Sequence, residues 1–409
     1  MVGQFTGNEA LAAVGSTTAL INVFVNLFIG ISLGASVLAA RFYATGQEKE
    51  MTETVHTSIT LALISGIAMG IIGVIAAKGA LELMDTPDNV LNLSTLYMRI
   101  YFMGMPFFML YNYGAAILRA VGDTKRPLLF LIISGATNVV LNLLLVIQFH
   151  LGVAGVAIAT VISQCISCIL VLRCLYLSDG SYQLRFNKLG MKTRYVKQIF
   201  QIGIPAGIQS TIINFSNVLL QSSVNSFGAV AMAGSTASAN IEGFVYTAMN
   251  AVYQTSLSFT SQNYGGRKYK RIGRITLTCV GVVTAVGLGM GLATFAAGES
   301  LLRIYSSDPE VIQFGLKRMA VFGTTYFLCG IMDTMVGSIR GLGSSVIPMC
   351  VSIIGVCGLR VLWIFTVFQW SRSLTTLYLS YPVTWVVTGA VHIACFLMLK
   401  RKLPKEDGE

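Results

Sequence analysis

The stretch ILRAVGDTKRP at residues 117–127 returns as SIRGLGSSVIP at 338–348, an offset of 221 (338 minus 117). Each copy ends a long apolar run with an arginine (Arg119, Arg340), a turn glycine (Gly122, Gly343) and a proline (Pro127, Pro348). Glycine allows the tight bend, proline suits the first turn of the next helix, and the arginine is placed to anchor at lipid headgroups. Two further echoes keep the same order: ALAAVGS at 10–16 with AVAMAGS at 229–235, and RFYATG at 41–46 with QNYGGR at 262–267. Three ordered echoes divide the chain into two related halves. Duplicated membrane halves are a common build of secondary transporters, whose sites lie where the repeats meet.

Composition identifies the solvent. Of 409 residues 54% are apolar and only 11% charged, and the mean hydropathy is +0.71, which places the chain among polytopic membrane proteins. Inside a bilayer each segment must satisfy its own backbone polar groups. Runs rich in Gly and Leu without alternation therefore predict helices, not a β-barrel. About eleven spans are expected, at 10–40, 54–80, 89–119, 126–147, 151–177, 197–226, 229–261, 272–298, 310–340, 345–370 and 373–399. The predicted fold is all-α. An N-terminal bundle (1–177) and a C-terminal bundle (197–400) are joined by a basic linker (178–196), and a tail (401–409) follows.

The net charge of +11 raises nucleic acid as a partner, and the placement of the cations excludes it. Lys and Arg gather in alternate loops, among them Arg119, Lys125 and Arg126, the segment 173–197, Arg267 to Arg274, and the tail Lys400-Arg401-Lys402. The intervening loops carry few cations, so the basic loops and the C-terminus are expected in the cytoplasm, with the chain in a bacterial inner membrane. The expected partners are the lipid bilayer and a small molecule, with the chain acting as a monomer. The eight cysteines lie in or beside helices and are expected to be reduced, and the Cys165/Cys168 spacing lacks a second ligand pair for a metal. No nucleotide-binding loop, nucleophile elbow or zinc spacing is present, so an enzyme is not expected.

The echoes, the helix layout and the phrases NIEGFVYTAMNA (240–251) and LCGIMDTMVGSIRGLG (328–343) resemble the multidrug and toxic compound extrusion family over essentially the whole chain. The resemblance implies two six-helix bundles around a central cavity, and export of cationic or amphipathic compounds against an inward flow of Na⁺ or H⁺. It also implies that the family's first helix is absent. A late start codon, a truncated gene and an eleven-helix form are the alternatives, in that order. Well-known members carry an acid early in the seventh helix, where this chain has Gln209 and Asn214. Another branch has a fifth-helix acid, where this chain has Asn138 and Asn142.

Two acids lie deep in the spans, and buried charge in a membrane marks function by default. Glu242 is about 13 residues, or about 20 Å, into its helix, and Arg360 about 15 Å into its own. A Glu242–Arg360 pair is one reading, and Asp333 is the alternative partner. Glu242, Asp333 and Arg360 are thus the candidate ion-coupling residues for Na⁺ or H⁺, with no other cofactor. At the offset of 221, Asn112 occupies the position of Asp333. Gln209, Asn214, Asn240, Tyr246, Asn112, Asn138, Asn142 and Tyr326 are candidates to line a substrate cavity, since rings stack on flat cations and amides adapt their hydrogen bonds. Arg99 and the Lys317-Arg318 pair are expected to snorkel to the outer interface. His56 and His392, read as close to helix ends, give no support to a histidine relay.

The expected function is secondary-active efflux of organic cations by Na⁺- or H⁺-coupled antiport. One rival is a flippase of lipid-linked saccharides, which would need a cationic cavity where two acids face one Arg. The other is a truncated, non-transporting membrane protein.

Overall fold

The computed structural model describes residues 8–84 and 86–404. The segment 1–7 of the expected outer loop and most of the tail lie outside the described residues. In chain order the helices are α1 (Asn8–Ala44), α2 (Glu48–Glu82), α3 (Asp88–Met103), α4 (Met105–Ala120), α5 (Lys125–Asn142), α6 (Gly152–Leu177), α7 (Thr193–Asn225), α8 (Ala229–Gly265), α9 (Tyr269–Ala296), α10 (Gly298–Arg303), α11 (Pro309–Gly341), α12 (Val346–Ser352), α13 (Leu359–Phe365), α14 (Val367–Trp370) and α15 (Leu374–Arg401). Two π-helical turns, Leu143–Gln148 and Ile353–Gly358, continue α5 and α12. There is no strand among the described residues.

Every predicted span coincides with a helix or a run of abutting helices. The span 89–119 is broken at Gly104, because Pro106 in the first turn of α4 cannot donate a backbone hydrogen bond. Pro205 and Pro382 stay inside continuous helices. Among the described residues, eight segments are long and apolar enough to cross a membrane. Of the three that fall short, α3 and α4 are 16 residues each on either side of the Gly104 break and too short singly, whereas α7 and α8 are long but carry Gln209, Asn214, Asn240, Glu242 and Tyr246. Polar residues lower a helix's hydropathy where it faces protein or water instead of lipid.

The chain forms two compact units, the first ending at Gly207 and the second starting at Ile208. The boundary falls inside α7, further along than the expected start at 197. In the first unit, Gly30 and Gly34 of α1 meet Gly203 and Gly207 of α7 backbone to backbone: a Cβ at Gly30 would collide with Gly207, one at Gly34 with the Ile199 carbonyl, and one at Gly207 with the Leu27 carbonyl. Two Gly-x-x-x-Gly stretches thus interlock, and that contact ties the opening of α7 to the first unit. The core of this unit gathers α4 (Met109, Tyr113, Leu118) against Met51 and Val55 of α2 and Leu175 of α6. In the second unit α11 packs on α8, α9 and α15. It does so through equally close glycines, with a Cβ at Gly291 falling 2.5 Å from the Gly323 carbonyl.

The repeated motif folds the same way twice. Gly122 and Gly343 take φ of 94° and 93°, a left-handed conformation that favours glycine. Asp123 N–H donates to the Leu118 carbonyl and Ser344 N–H to that of Ile339, while Gly122 and Gly343 donate to Arg119 and Arg340. Each copy is a Schellman cap, and Pro127 and Pro348 then sit in the first turn of the next helix.

The linker is pinned to α2. The Thr52 hydroxyl donates to the Ser181 carbonyl, and Thr57 and Thr60 accept from the amides of Lys192 and Gly190. His56 Nε2 accepts the Arg185 N–H at 3.0 Å while Nδ1 lies 2.6 Å from the Thr52 carbonyl, and Leu184 is fully buried.

Candidate functional site: the buried charges of the second unit

On α8, Ser235, Ser238 and Glu242 follow one another at three- and four-residue spacing, which puts them on one helix face. Facing them on α11 is Arg318. Its Nη2 lies 2.9 Å from Glu242 Oε2 and its Nε 3.0 Å from Oε1, while Nη1 donates to Ser235 Oγ at 3.1 Å. Ser238 Oγ donates to Glu242 Oε1 at 2.7 Å. Phe322 and Tyr378 close over the guanidinium, with ring centres 4.5 and 5.5 Å from Cζ. Glu242 therefore pairs with Arg318 and not with Arg360. The expectation that Arg318 snorkels outward is overturned, because the fork-to-carboxylate pair compensates burial. Its neighbour Lys317 does point out, lying over the Phe314 ring.

Asp333, a little over four turns along α11 from Arg318, has a different setting. It is half-buried, and among the described residues no Lys or Arg nitrogen lies within ion-pairing distance of its carboxylate. Cys329 Sγ is 4.0 Å from Oδ2, with Tyr246 beside the carboxylate and the charge of Arg340 acting on it from beyond ion-pairing distance. Tyr246 stacks on Tyr326, which stacks on Trp385 at 5.5 Å between centroids. An aromatic wall thus leads away from the free carboxylate.

Arg340, expected at the headgroups, is buried instead. Nη1 donates to the Tyr253 hydroxyl at 2.6 Å and Nη2 to Gln209 Oε1 at 2.7 Å. Gln209 then donates to Ser352 Oγ, which lies 3.1 Å from His392 Nε2. His392 is fully buried, deeper than its sequence position suggests. Arg360 is also buried and pairs with neither acid. Its Nη1 donates to Asn217 Oδ1 at 2.8 Å and its Cζ lies 4.4 Å from the Tyr381 ring centre.

The remaining candidates stand apart from this group. Asn112 donates back to the Phe108 carbonyl of its own helix, and Asn142 bonds Asn138, which reaches Ser163. Both lie in the first unit. Asn214 is half-buried and Asn240 exposed. Arg99 is exposed and donates to the Val74 carbonyl. Sequence reasoning missed Ser235, Ser238, Arg318, Tyr381 and Trp385. The serine spacing before Glu242 was the available signal. The rings come from α15, a helix whose sequence distance hides the contact.

A family model described as MatE matches residues 1–144 and 205–366. The chain belongs to the MatE family. It is similar to the "Probable multidrug resistance protein YoeA" of Bacillus subtilis, 27% identical over 397 residues, or 95% of this chain and 85% of that protein. A "FAD transporter" of Shewanella oneidensis is 23% identical, covering 97% of this chain and 87% of its own length. Among solved structures, a MOP superfamily transporter from Pyrococcus furiosus, whose binding pocket is described as reversed in polarity, superposes with a TM-score of 0.92. That match has 18% identity and covers 99% of this chain and 90% of the other. This MatE chain thus has the helical fold of a multi-pass membrane transporter, with the buried Glu242–Arg318 ion pair in its second unit.

Proposed function

We propose that the chain is a secondary-active exporter of small organic compounds, driven by inward flow of Na⁺ or H⁺ through alternating access, with its basic loops and C-terminus in the cytoplasm. One observation carries the choice of coupling residue. Of the two deep acids, Glu242 is held by Arg318 and Ser238, whereas Asp333 has a thiol at 4.0 Å, Tyr246 beside it and no cation within ion-pairing distance among the described residues. A carboxylate in that state is free to take a proton or Na⁺, and its occupancy changes the charge beside the aromatic wall. Relatives named as multidrug resistance and multidrug export proteins support export, and one named as an FAD transporter supports carriage of small organic compounds.

The test is ethidium efflux from drug-sensitive bacteria expressing the chain, with Na⁺ and pH gradients imposed separately. Asp333→Asn is expected to abolish gradient-driven efflux at unchanged protein level. Full efflux in Asp333→Asn, with loss in a well-expressed Glu242→Gln, would move coupling to the other acid. No efflux by the wild type under either gradient would reject the exporter reading for this cargo.

A further inference from the structure

The deep charges of the second unit do not cancel. Arg318 and Glu242 neutralise each other, which leaves Arg340 and Arg360 against Asp333. Arg340 spends its fork on two short hydrogen bonds to buried partners. Arg360, 3% exposed, has one hydrogen-bond acceptor, the Asn217 amide, and its Nε has none. A buried guanidinium without a counter-charge is costly, and the face of Tyr381 compensates only part of that cost.

Its placement is also built. The π-helical turn Ile353–Gly358 immediately precedes it, and such turns, which sacrifice regular hydrogen bonding, concentrate at functional sites. Gly355 lets the turn press on α15, since a Cβ there would collide with the Thr388 hydroxyl. The single acceptor belongs to an exposed residue. Asn217 is exposed, with half-buried Asn214 and Gln221 one turn to either side on the same face of α7. Phe215, Val218 and Leu219 are exposed on another face of that helix. A stripe of amides in a membrane helix lines water or a solute path, and the apolar face is the one suited to lipid.

We propose that Arg360 is an anion-recognition site, at which a carboxylate or phosphate oxygen of a small organic substrate replaces the Asn217 amide on the guanidinium. Arg suits this task because its planar fork binds such groups in a bidentate manner. The inference rests on the exporter reading and narrows it: the cargo includes organic anions as well as cations. Cation discrimination would come from Asp333 and anion discrimination from Arg360.

Two dyes sharing a xanthene scaffold separate the charges: anionic fluorescein and cationic rhodamine 123. Binding is read by fluorescence anisotropy on the purified chain in phosphatidylcholine nanodiscs, which carry no net lipid charge. Arg360→Gln is expected to weaken fluorescein by about tenfold or more, the value of a lost charge-assisted bond, and to leave rhodamine 123 unchanged or tighter. Arg360→Lys should fall between wild type and Arg360→Gln. Asn217→Ala, which removes the competing amide and keeps the arginine, should tighten fluorescein, so the proposal remains testable if Arg360→Gln does not fold. Fluorescein that fails to bind the wild type, or binds Arg360→Gln and Asn217→Ala equally well, overturns the anion site. Retained rhodamine 123 binding in that case would leave the exporter reading standing. Soluble competitors identify the source of the anion: displacement by glycerol phosphate supports a free solute, and displacement by short-chain phosphatidylglycerol alone assigns the arginine to a lipid headgroup and rejects the substrate role.

Discussion

Arg318 and Arg360 share one ring, Tyr381, 5.9 and 4.4 Å from their guanidinium carbons, yet only the first has a carboxylate. That difference predicts unlike consequences of substitution. Removing one partner of a buried pair strands the other, at a cost of about 3–5 kcal/mol. Glu242→Gln and Arg318→Gln are therefore each expected to lower the melting temperature of the purified protein sharply. Replacing both together, as Glu242→Leu with Arg318→Met, should recover most of the loss because no charge is left buried. Tryptophan-fluorescence melting of the four proteins checks this, and a double variant as unstable as the sum of the singles would show that the pair has further partners. The same accounting makes Asp333, which has no ion-paired partner to strand and feels Arg340 only from beyond ion-pairing distance, the safer acid to neutralise when function is being read.

Among the helices, the α1–α7 contact is the most demanding of sequence. Gly34 and Gly203 admit no side chain, since a Cβ at Gly203 would sit 2.5 Å from the Ile31 Cα. Overpacking of this kind typically costs about 1–3 kcal/mol. Gly34→Ala and Gly203→Ala are expected to reduce both folded yield and melting temperature. Gly135→Ala in α5 and Gly281→Ala in α9, where nothing lies within 4 Å, should be neutral or gain up to about 1 kcal/mol from helix propensity. Equal effects in the two sets would mean that the helices do not approach as described. The π turn before Arg360 and the break at Gly104 are the other places where a helix departs from regularity. Both adjoin residues singled out above, Arg360 and the α4 segment that carries Asn112.

Across the whole molecule, the chain between the two halves is fastened to one of them. His56 bridges the Thr52 carbonyl and the Arg185 amide, so His56→Phe leaves a backbone donor unsatisfied, a loss of about 1–3 kcal/mol. Limited trypsin digestion should cut at Arg185 and Lys188 about fivefold faster or more in that variant, following the population of the opened segment. Cleavage at Arg267 serves as the internal standard and should not change, and an unaltered rate at Arg185 would show that the threonine bonds alone hold the segment. The helical class, the helices that underlie the expected segments and the paired turn motifs were legible in the sequence. Each follows from local periodicity, from apolar run length or from short motifs such as Arg119/Gly122/Pro127 whose geometry is set within a few residues. The partners of the deep charges were not legible. Glu242 and Arg318 are 76 residues apart, and Arg340 and Gln209 131 apart. Depth along a helix axis can be estimated from residue counts, but the rotation that turns Arg318 inward and Lys317 outward cannot. Only the packing of α8, α11 and α15 against one another fixed which face of each helix was buried, and with it which acid was paired and which arginines were left without an ion-paired partner.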